Sequence, residues 1–375
     1  MSSPLFAPFR HALDSLSVRY ECTVAQGPEL AKCLAVREQV FGVELRRDAP
    51  SGYSPAKQDE FDAVSTHLAC RDTKTGEIIG AVRITPANHF KGHKLYDKEY
   101  ALHEFPSDLL PRIAIVSRFA VLRDHRGKGH AGILLANECY RWGITQFVLS
   151  CIVCEPNLFP AYRELGFRPL AGALPSPFGG YRLPLFLVPH DYDFLKQVGS
   201  PFYSIAREQG FPKENAGRDW QLYFSLEEED AVSGFSQVSE TEAVEFHTSI
   251  TQGLTDKGKK QLLSHAVKID GKFKDVVLAT GDGGKSLGFV KKGALEVNKG
   301  GRVQAVLGEG EIFGEVGFVL GTPRTANVTV ASEKAEIVLL SLHAFEKLAS
   351  EADLACAWKN LARILAQRLV SSGPA

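Results

Sequence analysis

No apolar run in this 375-residue chain approaches the roughly 20 residues that a membrane-crossing helix needs. An integral membrane segment is therefore not expected. The first residues, MSSPLFAPFRHALDSL, have no long apolar core and carry acid early, which makes a poor signal peptide. An excess of charge is also missing: 43 Lys and Arg oppose 44 Asp and Glu, a formal net charge of −1. No global basic field draws the chain to nucleic acid or anionic lipid. Seven cysteines, an odd number in a chain this long, make no disulfide framework; reduced thiols in a cytoplasmic protein fit better.

What is present is globular in makeup, with 44% hydrophobic and 23% charged residues. The length exceeds one ordinary core, so two domains are expected. Neither apparent metal motif survives inspection, and no metal is expected. Cys151 and Cys154 lie on a predicted strand, where their spacing sends them to opposite faces. His89 and His93 flank Phe-Lys-Gly in a loop, without the glutamate a zinc helix carries.

The stretch 311–328, EIFGEVGFVLGTPRTANV, concentrates the chemistry of the C-terminal half. Gly314 and Gly317 allow close backbone approach or positive φ. Glu315 is an acceptor suited to a sugar hydroxyl, and Arg324 a planar fork of donors that matches a phosphate. Apolar neighbours would bury both, and a buried unpaired charge is expensive. The segment holds either an internal Glu–Arg pair or a site for an anionic sugar. It resembles the phosphate-binding cassette of cyclic-nucleotide-binding domains. The resemblance implies that Phe313, Gly314, Glu315 and Val316 belong to the nucleotide site, with Glu315 on the ribose 2′-hydroxyl. It puts Arg324, Thr325 and Ala326 on the cyclic phosphate. Thr325 resembles the threonine of cGMP-responsive members, which leaves cAMP and cGMP both open.

The N-terminal half opens with a short amphipathic arm over 1–20. The pattern then predicts a strand at 20–24, a helix at 28–41 and paired strands at 66–72 and 78–85. Residues 113–122 read as a strand, followed by Arg126-Gly127-Lys128-Gly129-His130-Ala131 and a helix over 132–142. A strand feeding a glycine-rich loop that opens a helix is an anion site, because free N–H groups and the positive helix end converge. A strand over 147–153 and the element NLFPAYRELGF, 157–167, complete the pattern.

Together these segments resemble the GCN5-related N-acyltransferase (GNAT) fold. The loop matches that family's Arg/Gln-x-x-Gly-x-Gly/Ala signature at Arg126, Gly129 and Ala131. The resemblance implies that the amides of 126–131 hold the pyrophosphate of an acyl-CoA or the phosphopantetheine of an acyl carrier protein. Phe119 and Val121 would pair with the pantetheine arm, and Asn157 lies in the downstream donor element. Tyr162 matches the tyrosine that protonates the departing thiolate, a role that suits a phenol.

A narrower resemblance covers 30–120. Arg37-Glu-Gln-Val-Phe41, Asp59-Glu-Phe-Asp62, Gly80-Ala-Val-Arg83 and Ser117-Arg-Phe119 are similar to acyl-homoserine-lactone synthases and N-acyl amino acid synthases. It puts Arg37, Asp59, Asp62, Arg83 and Arg118 around the acceptor amine and its carboxylate. Ile115 stands where the lactone synthases carry a glutamate, which favours another amine acceptor. Glu155, Asp59 and Asp62 are the candidates for the general base.

Residues 190–240 carry turn signals, an acidic run at 227–230 and a segment 220–224 that reads as a strand or docking element. Beyond them, glycine-punctuated short strands over 275–306 suit a small barrel, and 355–370 reads as an amphipathic helix. The expected fold class is α+β. A GNAT-type mixed sheet with flanking helices (1–195) and a structured linker (196–239) precede a cyclic-nucleotide-binding jelly roll (240–375). The expected function is nucleotide-controlled acyl transfer from a thioester to an amine. A protein-lysine acetyltransferase under the same control and a non-catalytic acyl-thioester sensor are the alternatives.

Overall fold

The computed structural model describes residues 19–45, 54–126, 130–176, 179–211, 234–245, 248–282, 286–346 and 348–371. Most of the expected N-terminal arm, the loop residues Gly127, Lys128 and Gly129, the segment 220–224 and the acidic run lie outside them. Two compact units emerge. The first comprises Met1–Cys154, Ala161–Ala171 and Pro184–Glu229; the second comprises Glu155–Pro160, Gly172–Leu183 and Asp230–Ala375.

In the first unit, β1 (Tyr20–Val24), β2 (Thr66–Asp72), β3 (Ile78–Pro86) and β4 (Ile113–Val121) run antiparallel in sequence order. β5 (Leu149–Cys154) then joins β4 in parallel, Ile113 opposite Leu149 and Ile115 opposite Cys151. A parallel pair needs a crossover, and the helix His130–Gly143 supplies it. With β6 (Arg168–Pro169) and β8 (Tyr181–Leu187), the sheet order is β1-β2-β3-β4-β5-β8-β6; β7 (Leu174–Pro175) and the start of β8, which it pairs, belong to the second unit.

We label the helices of this unit α1 (Pro28–Arg37), α2 (His130–Gly143) and α3 (Phe159–Leu165). Pro28 starts α1 where its missing N–H costs nothing, and Arg37 sits in the last turn. The helix expected through residue 41 instead widens into a π-type turn over Glu38–Glu44. Gly42 lies in that turn, where a Cβ would come within 3.3 Å of Ala56 Cβ. One face of the sheet buries Phe90, Ile113, Ile115, Leu149 and Phe186. The other buries Leu68, Ile79, Val82 and, on α2, Ala131 and Leu135.

The pairing of β3 with β4 is interrupted. Ala81 faces Ala120 and Arg83 faces Ser117, so Arg118 and Phe119 together oppose Val82. This is a bulge, a device that bends a strand and re-aims a side chain. Arg118 adopts φ 56, in the left-handed region that non-glycine residues avoid.

The second unit is built on two antiparallel sheets. Its strands are β9 (Phe235–Gln237), β10 (Val267–Lys272), β11 (Val276–Leu278), β12 (Ser286–Lys292), β13 (Leu295–Lys299), β14 (Arg302–Leu307), β15 (Ile312–Phe313), β16 (Asn327–Val330) and β17 (Lys334–Ser341). One sheet runs β15-β12-β17-β10-β9 and the other β11-β16-β13-β14, a jelly-roll arrangement. Between β15 and β16 stands α4 (Glu315–Leu320), and the described chain ends with α5 (Glu351–Ser371). Leu287, Phe289, Phe318, Leu340, Phe345 and Leu361 share one core. Within this unit the Gly180 N–H donates to the Val276 carbonyl (2.9 Å), and the Tyr181 hydroxyl donates to Asp275 (2.8 Å). Among the described residues no helix is long and apolar enough to cross a membrane.

Candidate functional site

The four acceptor-side motifs, scattered in sequence, converge in the first unit on one charged cluster. Asp62 is its centre and is 3% exposed. Arg37 meets it with two parallel bonds, Nη1 to Oδ1 (2.8 Å) and Nη2 to Oδ2 (2.9 Å). Arg83 donates Nη1 to the same Oδ1 (3.1 Å), and the Asp59 N–H donates to Oδ2 (2.9 Å). Burial alone would push the Asp62 carboxyl up. The bonds from Arg37 and the Asp59 amide, with the Arg37 and Arg83 charges, instead hold it well below the usual carboxylate range. His67 lies with Nε2 3.6 Å from Asp62 Oδ1; burial lowers its pKa against the pull of that carboxylate.

Asp59 forms the open end of the cluster. Its Oδ1 accepts from the Phe61 N–H (3.1 Å) and from Arg83. Its Oδ2 accepts from Arg118 Nη2 (3.0 Å), and its side chain keeps 17% exposure. Arg118 Nη2 also donates to the Tyr96 hydroxyl (2.8 Å). The bulge thus turns the Arg118 fork onto Asp59 and Tyr96. Tyr96 is itself clamped by rings, 4.6 Å from His93, 4.8 Å from Phe90 and 5.4 Å from Phe61. The arrangement offers a partly open carboxylate beside a positioned guanidinium, which can take up an amine and an acid group together.

Beside the residues expected to meet the thioester, a cavity of about 370 Å³ is lined by Val40, Leu45, Phe119, Val121, His125 and Arg126, among others. The Arg126 side chain is committed locally: Nη2 pairs with Glu44 (2.6 Å) and Nε donates to the Val121 carbonyl. Ala131 is fully buried at the start of α2. Tyr162 is half-buried on α3, edge-on to Phe167 at 5.7 Å. Glu155 and the buried Asn157 belong to the second unit.

The cassette residues come together in the second unit. Gly314 caps α4 at φ 76, and a Cβ there would lie 2.8 Å from Arg324 Nη1 and 3.2 Å from the Ser286 carbonyl. Gly317 is tight but less confined, with the Thr322 carbonyl 3.1 Å and Arg324 Nη1 3.2 Å from where its Cβ would be. Gly314 is therefore required by the space around the guanidinium and by its left-handed backbone. Arg324, 4% exposed, donates Nη1 to the Gly314 carbonyl (2.7 Å) and Nη2 to the Ser286 carbonyl and hydroxyl (2.7 and 3.0 Å). Its Nε is buried without a hydrogen-bond partner. Burial lowers the Arg324 pKa, opposed by the charges of Asp282, Glu155 and Glu315. Glu315, 7% exposed, gives its ion pair to Arg368 Nη1 on α5 (2.6 Å), not to Arg324. Phe313 is buried, Val316 and Ala326 are half-buried and Thr325 is exposed. A buried guanidinium with a spare donor, glycines packed on it and a carboxylate across the turn have the chemistry to meet an anion that carries a hydroxyl.

Residues 36–136 match the family model of the acetyltransferase (GNAT) domain. Residues 272–352 match that of the cyclic nucleotide-binding domain. Matches to two different domain models thus fall on this chain. Each match spans one charged cluster: the first contains Arg37, Asp59, Asp62, Arg83 and Arg118, the second Glu315 and Arg324. No curated protein matches the chain. Among solved structures, a cyclic nucleotide-binding domain from Methylobacillus flagellatus is 21% identical, with 37% of this chain and 83% of that one covered (TM-score 0.33). The catabolite activator protein of Thermus thermophilus is 28% identical over 33% of this chain and 60% of its own (TM-score 0.30). A candidate N-acetyltransferase from Lactobacillus plantarum is 16% identical over 45% of this chain and 98% of its own (TM-score 0.34).

Several partners of these residues had no signal in the sequence. Tyr96 and His67 carry no motif, and Ser286 and Arg368 lie far along the chain from the residues they bond. Ser117, which accepts from Arg83 Nε (3.3 Å), stood beside Arg118 in a quoted motif and was legible as a neighbour only.

Proposed function

We propose that this chain is an N-acyltransferase under cyclic-nucleotide control, moving an acyl group from a CoA or carrier-protein thioester to a small amine that bears a carboxylate. The carrying observation is that both domain models match one chain, each over the segment that holds a buried, oriented charge cluster. In this reading the amides at 126–131 and the start of α2 hold the donor's phosphate. Phe119, Val121 and the apolar cavity beside them receive the pantetheine and acyl portion.

Arg118 binds the acceptor's carboxylate, and Asp59 accepts a proton as the amine attacks the thioester carbonyl. Tyr162 returns a proton to the departing thiolate. Asp62 is a poor base, because its depressed pKa leaves it no affinity for a proton at neutral pH; with Arg37 and Arg83 it positions Asp59. Alignment of the reactants provides much of the rate, and no covalent enzyme intermediate is needed.

In the cassette, Arg324 takes the cyclic phosphate and Glu315 the ribose hydroxyl. The fit rests on the unpartnered Nε and the glycine cradle. A nucleotide controls activity only if it binds one arrangement of the protein more tightly than another. The test is mass spectrometry of small molecules after incubation of purified protein with acetyl- and longer acyl-CoA, amino acids and lysine-containing peptides, with cAMP or cGMP. N-acylated amino acids support the proposal. Acetylated peptide alone moves the reading to a protein-lysine acetyltransferase, and no product with any donor leaves a thioester sensor.

A further inference from the structure

The final helix is held very differently along its length. Its first half is anchored in the core of the second unit. Asp353 accepts from the Thr255 N–H (2.9 Å) and hydroxyl (2.7 Å), and Asn360 Nδ2 donates to the Ile250 (3.0 Å) and Gln252 (2.7 Å) carbonyls. Trp358 meets Phe345 at 4.8 Å, and Phe345 meets Phe318 of α4 at 5.5 Å. Beyond Leu361 the helix is poorly covered. Ala362, Arg363, Ala366 and Gln367 are exposed, Leu369 is 76% and Val370 83% exposed, and Ile364 and Leu365 pack only in part.

Against this weakly held half stands one two-armed polar tie. Arg368 places Nη1 2.6 Å from Glu315 Oε1 and donates Nη2 to the carbonyl of Ile312, at the entrance of the cassette. Glu315 is nearly covered, so an acceptor that serves Arg368 has little surface left for a second donor.

We propose that Arg368 and the ribose 2′-hydroxyl compete for Glu315, so that seating a cyclic nucleotide and releasing the distal half of α5 are one event. The inference rests on the nucleotide reading above and adds the residue that couples the ligand to the helix. The tie is a partly exposed ion pair, strong enough to hold a lightly packed helical segment and weak enough for one good hydroxyl contact to replace it. The anchored first half is the fixed point about which the distal half moves.

The experiment is a cycle between a side chain and a ligand atom. Calorimetry measures cAMP and 2′-deoxy-cAMP against wild type and Arg368→Gln, with the cGMP pair run in parallel. Competition predicts that Arg368→Gln tightens the ribonucleotide about fivefold, the scale of a partly exposed ion pair. It leaves the 2′-deoxy compound within about twofold by the same reasoning. Arg368→Lys, which keeps the charge but loses the fork, gives a smaller gain in the same direction and guards against a folding defect in the glutamine variant. Hydrogen exchange over 362–370 rises in Arg368→Gln without ligand. An unchanged or weakened ribonucleotide affinity overturns the proposal, as does an equal gain for both ligands. If neither wild type nor variant binds any of the four nucleotides at millimolar concentration, the nucleotide reading falls and the competition with it.

Discussion

Asp62→Asn removes one charge from the most enclosed cluster of the first unit. Two guanidiniums converge on that carboxylate, Arg37 at 2% and Arg83 at 1% exposure; Arg83 keeps Asp59 as a partner, so the loss falls on Arg37, whose two paired bonds go to Asp62. Breaking a buried pair from one side costs about 3–5 kcal/mol, because the stranded charge pays its full desolvation. For a unit of this size each kcal/mol moves the midpoint by about 2–4 °C, so a drop of about 6–20 °C is expected. Differential scanning calorimetry reads it, with hydrogen exchange over 59–62 assigning the change to the first unit.

The pH dependence gives an independent check. The folded-state pKa of Asp62 is depressed, by the Arg37 and Arg83 partnership acting over the upward push of burial. Its stabilisation is therefore present above the unfolded carboxylate value of about 4 and fades as pH falls below it. Wild type shows that acid decline, and Asp62→Asn lacks this part of it. A midpoint shift under about 2 °C, with an unchanged acid slope, would refute the claim that Asp62 holds the cluster together.

Two further outcomes follow from the second unit. Gly314→Ala forces a Cβ to 2.8 Å from Arg324 Nη1 at φ 76, so it lowers stability by about 1–3 kcal/mol and abolishes nucleotide binding, read by denaturation and calorimetry. Glu242 accepts from Lys291 (2.9 Å) and Lys268 (3.0 Å); against the opposing effect of burial these bonds bring its pKa down to about 2. The two ion pairs contribute above about pH 4, are lost as pH falls through the folded value, and being partly exposed are worth about 1 kcal/mol at most; Glu242→Gln should lose that amount at pH 7 and progressively less as pH falls towards 2.

How much of this was legible in the chain follows physical lines. Local signals survived: the strand 20–24 and the hairpin strands 66–72 and 78–85 fall within a residue of the observed β1, β2 and β3, because alternation and a four-residue turn are written locally. The Phe313-Gly314-Glu315 turn was legible because only glycine fits beside Arg324. Long-range facts were not. That Arg37 and Arg83 share Asp62 depends on how β3 and α1 pack, and the left-handed Arg118 depends on a bulge against Val82 that no residue type announces. The helix expected through residue 41 widened at Glu38, where Arg37 turns inward to Asp62 and tertiary contacts override helical periodicity. The expected Glu315–Arg324 alternative was framed without Arg368, since nothing in α5 marks one arginine of an exposed helix end as a partner.

The most direct measurement is the rate of acyl transfer to an amino acid acceptor, followed as free thiol release, with and without cAMP and cGMP, in wild type and Arg324→Ala. A nucleotide-dependent change in wild type that disappears in Arg324→Ala, with the variant still folded, is the expected result. Equal rates in all six conditions would contradict control through the cassette.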